Sequence, residues 1–375
     1  MKTYSLIRYH GSLKPLISNN LLIALADEFG NTLESGLTVS FAASAANPTT
    51  LSVSPTSLTM QQASSTQALP HKALVVTLAD QTQSWTASVS SGNRTTTWLS
   101  LSQYFGTGNS QITVTASGAG FEPGVYRALI TFQSANAVPQ VVTVPVMFVW
   151  GASGGSSISS LTNAFSYMPT ASPGEIMTVF GSQLATSVQP ASDVPLPFAM
   201  DGVTAAVNGL AAPLYYTSPG QLNIQIPFEA GIGNAVLGVD NHGQISGYQF
   251  QIAASAPAIV TDMNGNIVPG VLPSNPLGTV AVMYLTGDGD MTPALATGTA
   301  PTAGTALTSL PRPSLPVSVT VAGVQAFLQF IGVTPGMVGL TQVNLIVPRS
   351  VTAGIQPVVV TVGGVSSPTA YLIMP

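Results

Sequence analysis

The chain has 375 residues, of which 8 are Lys or Arg, 13 are Asp or Glu, and 45% are apolar. A typical soluble domain carries about 25% charged residues, which would be roughly 94 in a chain this long. The apolar content excludes intrinsic disorder, which pairs low hydrophobicity with high net charge, and no apolar run of about 18–20 residues offers a transmembrane helix.

Polarity comes instead from Ser, Thr, Asn and Gln, together with 36 Gly and 29 Pro. Those residues sit poorly in helix interiors and well in strands and turns, so the expected class is all-β. At about 100–200 residues per domain, the length predicts two to four domains. The absence of cysteine excludes disulfides and Cys-ligated metals. Basic residues are scattered singly, which excludes a phosphate-neutralising stripe and with it a nucleic-acid partner. His10, His71 and His242 lie far apart and form no H-x-x-x-H pair, so a zinc hydrolase is not expected.

Lys2, Arg8 and Lys14 could begin a secretory signal, but the apolar run 21–26 is shorter than such a signal needs. Residues 21–41 alternate apolar and polar on both sides of Gly30-Asn31, a hairpin pattern. Asp27, Gly30, Asn31, Gly36, Val39 and Phe41 resemble a strand pair of bacterial Ig-like domains of the invasin type. Only a fragment of such a domain of about 100 residues is present. The chain therefore reads as the tail of a longer surface protein or as one with a misplaced start codon. A strand without its own sheet could also pair with a neighbouring subunit by strand addition.

Across 50–150, strands are expected at 51–60, 71–80, 84–90, 98–102, 111–117, 126–134 and 140–150, the spacing of a β-sandwich. Pro139 and Pro145 place the last of these at a sheet edge. The order Trp85, Trp98-Leu99-Ser100, Gly118-x-Gly120, Pro123-Gly124-x-Tyr126 and a final V-x-V-P-V strand resembles a BACON domain. That resemblance implies an immunoglobulin-like module of bacterial surface and secreted proteins, with a suspected link to carbohydrate binding. Trp85, Trp98, Tyr104 and Phe105 are then the candidate sugar-stacking residues. For the two Trp the favoured reading is core packing. Tyr104-Phe105, leading into Gly106-x-Gly108-Asn109, are expected on an exposed loop.

Residues 151–162 read as a flexible Gly/Ser linker. Gly151–Gly155 formally match G-x-S-x-G, which signals a hydrolase only at a strand-to-helix turn followed by an acid and a histidine. The later histidine, His242, falls in a polar turn, and no hydrolase is expected.

Beyond 162 the chain repeats itself. PGEIMTVFG (173–181) parallels PLGTVAVMYLTG (276–287), and GVTAAVNGLAAPLYY (202–216) parallels PVSVTVAGVQAFLQF (316–330). Ser218-Pro219-Gly220-Gln221-Leu222-Asn223 parallels Thr334-Pro335-Gly336 with Gln342-Val343-Asn344, and 235–246 parallels 357–367. These blocks resemble IPT/TIG domains, and as a tandem pair they resemble an uncharacterised C-terminal domain family of acidobacterial secreted proteins. No catalytic activity is implied. The second copy departs by inserting 337–341 and by a long loop at 288–315. The expected organisation is an N-terminal segment (1–49), a BACON-like sandwich (50–150), the linker, and TIG-like sandwiches at 163–256 and 257–375.

Gln221 and Asn223, like Gln342 and Asn344, alternate with apolar residues and should share one strand face, bonding backbone in adjacent loops. Asp288 with Asp290, and Asp262 with Asn264, place oxygens at alternate positions as calcium loops do, but lack an EF-hand glutamate and enough carboxylates, and read better as turn residues. Glu175, Asp193, Asp201 and Glu229 belong to no acid–base motif. The expectation is a non-enzymatic extracellular or cell-surface protein of three Ig-like sandwiches, serving adhesion, assembly or display. No cofactor is expected, calcium being the one candidate, and the chain would associate with like subunits, in filaments among other forms, or with other envelope proteins. The alternative is a carbohydrate-binding accessory protein that reads glycans through 50–150.

Overall fold

The computed structural model describes residues 49–93, 95–272 and 279–375, together with four two-residue strands between 21 and 39. Apart from one 3-10 turn at Phe228–Ala230, the regular elements among the described residues are all strands. They pair into sheets around three separate apolar cores, a tandem array of β-sandwiches. Period-two sequence explains this directly. In Leu58–Gln62, for example, Leu58, Met60 and Gln62 point inward while Thr59 and Gln61 face solvent.

At the N-terminus, Leu21–Leu22 pairs antiparallel with Thr38–Val39, and Leu25–Ala26 with Thr32–Leu33, in the nested order of a hairpin. Asp27, Gly30, Asn31, Gly36 and Phe41, which carry the invasin-type resemblance, lie outside the described residues.

The first sandwich differs from its seven expected strands in two places. The stretch 51–60 breaks after Ser54, so that Leu51–Ser54 and Leu58–Gln62 join opposite sheets. A further short strand, Phe105–Thr107, forms one edge of the five-stranded sheet. Val141–Trp150 is not an edge strand as its prolines suggest. It lies between Gly124–Gln133 and Leu58–Gln62. The parallel pairing to Leu58–Gln62 begins only at Val146, so Pro145 sits just beyond it, where its missing N–H deprives no neighbour. Tyr126 closes the turn before its strand, its hydroxyl donating to the Glu122 carbonyl at 2.6 Å.

The second and third sandwiches share one plan. In the second, Ser157–Asn163, Ile176–Ser182, Gln221–Gln225 and Leu214–Thr217 lie side by side. Ala258–Ile259, Val280–Thr286, Thr341–Ile346 and Phe327–Val333 take the same order in the third. Even a register shift recurs, between Leu214 and Tyr216 and between Leu328 and Phe330.

Both junctions are built. Met147, Val149, Val236 and Ile245 form a small apolar cluster with Val125 between the first and second sandwiches. Gly238 and Gly247 face each other across a strand pair, and a Cβ on Gly247 would lie 2.9 Å from Val149 and 3.1 Å from Val125. The two glycines thus make a notch that the valines fill. The segment expected as a flexible linker is ordered here. Ile245 N–H donates to the Ala152 carbonyl at 2.8 Å, and the buried Ser156 hydroxyl donates to Ser246 at 3.2 Å. Ser157–Asn163 is a strand of the second sandwich. Gly151, Gly154 and Gly155 supply positive φ angles of 122°, 52° and 94° for the turn rather than slack. The G-x-S-x-G run therefore connects two strands.

At the second junction, the 288–315 loop of the third sandwich, whose base pairs Met291–Thr292 with Arg312–Pro313, clasps the second. Gly298 N–H donates to Gln225 Oε1 at 2.7 Å, and the Gly298 carbonyl accepts from Leu196 N–H at 2.8 Å. The Thr297 hydroxyl accepts from Phe228 N–H at 3.0 Å and donates to Glu229 at 2.7 Å.

Candidate functional site

The four aromatic candidates of the first sandwich divide by burial. Trp85 and Trp98 are 1% and 2% exposed, so neither offers a face to a ligand. Trp85 packs on Phe132, with Gly106 lying directly over its ring, where a Cβ would come within 2.5 Å. Trp98 stacks on Phe148 with centroids 5.4 Å apart, its Nε1–H donating to the Thr95 carbonyl. Indoles of that size are the largest apolar bodies available to a thin sandwich core. Tyr104 and Phe105 are 45% and 76% exposed. Phe105 opens the edge strand, which pairs with Ser84–Ser91.

A larger concavity lies between the second and third sandwiches, an open groove of about 650 Å3. Gln221, Asn223, Tyr215 and Tyr216 line it from the second sandwich, and Met337 and Leu340 from the third. The Tyr215 hydroxyl donates to the Val338 carbonyl and ties the two sides together. Gln221 and Asn223 share a face, as expected, but their amides do not reach the backbone of adjacent loops. Gln221 Nε2 donates to Asn223 Oδ1 at 2.8 Å, and Gln342 Nε2 to Asn344 Oδ1 likewise at 2.8 Å. Two residues along one strand face are close enough for their amides to meet, and this local contact wins over a longer reach. Loop locking falls instead to the buried Gln225, which donates to the Gly174 carbonyl at 3.1 Å and accepts from Gly298. The second copy has Ile346 at the matching position, so the duplicated pattern alone could not single out Gln225.

The calcium candidates do not converge. Among the described residues no group of three or more His, Cys, Asp or Glu side chains is placed to hold a metal ion. Asp262 caps its own turn, accepting from the N–H groups of Asn264 and Asn266 at 2.8 Å and from Asn266 Nδ2 at 3.0 Å. Those bonds hold its carboxyl below the usual range. Asp288 is buried between two positive-φ glycines, and desolvation pushes its carboxyl up to about 6. Asp290 is half-buried two residues on. Near Asp288 lies Glu175, fully buried and pushed up to about 8 by desolvation. Asn163 Nδ2 and the Ser172 hydroxyl donate to Glu175 at 2.6 and 3.0 Å and oppose that shift, while the Asp288 charge adds to it.

No protein-family model matches the chain, and no curated protein does. Solved structures match weakly. A Bacteroides ovatus GH5 xyloglucanase in complex with a XXXG heptasaccharide is 15% identical over 28% of this chain and 20% of its own, with a TM-score of 0.22. This chain thus spans about a fifth of that enzyme's length. The I9–I11 tandem of titin is 9% identical over 87% of this chain and 98% of its own, TM-score 0.19. The human desmocollin-1 ectodomain is 10% identical over 88% and 58%, TM-score 0.19. Likeness at this level carries no inference about activity or partner. Among the described residues no helix is long and apolar enough to cross a membrane.

Proposed function

We propose that this chain is a non-enzymatic modular protein of the cell surface or extracellular space, serving adhesion, assembly or display. In this reading 50–150 is a BACON-like unit and 163–256 and 257–375 are TIG-like units. The observation that carries it is the pair of built joints. An apolar notch couples the first two cores and a hydrogen-bonded clasp couples the second to the third. Such joints stiffen a tandem array into a spacer able to project a binding surface. Immunogold labelling of intact cells of the native host tests this. Label on the outer surface or on secreted material is the expected result, and label appearing only after lysis overturns it.

A second reading, a carbohydrate-binding accessory role for the first sandwich, is favoured by the exposure of Tyr104 and Phe105 beside one another at a sheet edge. Flat apolar rings suit the C–H faces of pyranoses. Loss of oligosaccharide binding in Tyr104→Ala/Phe105→Ala is its expected signature, and unchanged binding overturns it.

A further inference from the structure

We infer that the groove between the second and third sandwiches is a binding site for neutral pyranose rings, separate from the Tyr104-Phe105 edge and independent of its reading. Its floor carries a hydrogen-bonding pair ready for a diol. Asn223 Oδ1 accepts from Gln221 Nε2 at 2.8 Å and from the Thr178 hydroxyl at 3.2 Å. This leaves Gln221 Oε1 as an acceptor and Asn223 Nδ2 as a donor with no partner among the described residues, on two half-buried side chains that line the groove. An acceptor and a donor side by side complement adjacent sugar hydroxyls, each of which both gives and receives.

Aromatic rings flank that pair. Tyr216 stands directly opposite Asn223 across the sheet and Phe180 directly opposite Gln221, all on one face. The register shift between Leu214 and Tyr216 brings this about. Leu214 stays in the core, Tyr215 is the extra residue, and Tyr216 lands beside the amide. The third sandwich repeats the set, with Phe330 opposite Asn344 and Tyr284 opposite Gln342 after the corresponding shift. The face therefore belongs to the repeated unit. In the second sandwich Met337 and Leu340, from the segment inserted in the third, wall one side and turn the face into a groove.

Charge and topology select the ligand class. No residue lining the groove is charged, so phosphorylated, sulfated or uronic acid ligands would meet no counter-ion. Gln221–Gln225 lies inside its sheet, hydrogen-bonded on both sides, and the edge strand that borders the groove, Gln189–Pro190, is two residues long and ends in a proline, so an extended peptide finds little backbone to pair with. A volume of about 650 Å3 accommodates more than one sugar ring.

The test is calorimetric titration of the full chain with cellohexaose, xylohexaose, chitohexaose and maltohexaose, with polygalacturonate and a proline-rich peptide as contrasts. Binding of at least one neutral hexasaccharide is expected. It should weaken about tenfold or more in Gln221→Ala/Asn223→Ala, which removes the acceptor and the donor offered to the sugar hydroxyls. Met337→Arg, at a residue 46% exposed and so tolerant of change, should weaken it comparably by putting a longer, strongly hydrated side chain in the mouth of the groove. Tyr104→Ala/Phe105→Ala should leave this binding intact. Failure of all four neutral sugars at millimolar concentration overturns the proposal. So does retained affinity in Met337→Arg or in a normally melting amide variant, binding of the charged polymer or the peptide alone, or loss confined to the Tyr104/Phe105 variant.

Discussion

Glu175 is fully buried, with a carboxyl pushed up to about 8 chiefly by desolvation. A carboxyl whose pKa is higher folded than unfolded favours the fold in its protonated form. Its contribution is complete below its ordinary value of 4.5 and is lost progressively as the pH rises towards 8. Over that window the loss is on the order of a few kcal/mol. Glu175→Gln keeps shape and neutrality, so urea denaturation should show a smaller fall in stability between pH 5 and pH 8 than in the parent. Asp288, pushed up to about 6, should leave a residual slope between its ordinary 3.8 and 6. An unchanged pH profile in the variant would show that Glu175 does not titrate in this range. Nothing in the local sequence announces this residue. It becomes unusual only because the third sandwich packs over it, where a Cβ on Gly287 would sit 3.3 Å from the Glu175 carboxyl carbon. Trp85 and Trp98 are buried as their core-packing reading expects, and burial is what separates a core indole from a sugar platform.

At the scale of elements, period-two alternation placed most strands correctly, and the exceptions have physical causes. A strand can cross between sheets at a proline, as after Ser54, and a proline can lie in a paired strand wherever its partner stops short, as Pro145 does. The Gly/Ser run at 151–156 reads as slack by composition, but its turn is held by bonds to residues about ninety positions away. The 288–315 loop is similar: visible in sequence as an insertion, it acts as a clasp through Gln225. Gln225→Ala removes both amide bonds and leaves the Gly174 carbonyl and Gly298 N–H without these partners. A loss of roughly 1–3 kcal/mol is expected. Amide exchange around 296–301 should quicken while the strands of the third core keep their protection. Unchanged protection in that loop would mean that Gln225 does not hold it.

For the whole molecule, the joints decide whether three sandwiches behave as beads or as a rod. Gly247→Val would drive a branched side chain into Val149 and Val125, so small-angle scattering should show a broadened distance distribution while strand content by circular dichroism is retained. An unaltered profile would indicate that the notch does not set the geometry. Scarce charge acts at this scale too. With 21 charged side chains in 375 residues, sheet edges have few of the Lys residues that commonly discourage edge-to-edge pairing.

The all-β class and most of the strands follow from sequence, because alternation, turn residues and low charge act over neighbouring positions; the duplication is equally legible as repeated text. The joints, the buried Glu175 and the groove beside Gln221 and Asn223 are different in kind. Each is made where surfaces from distant parts of the chain meet, and burial, desolvation and concavity are properties of such a meeting rather than of any one segment.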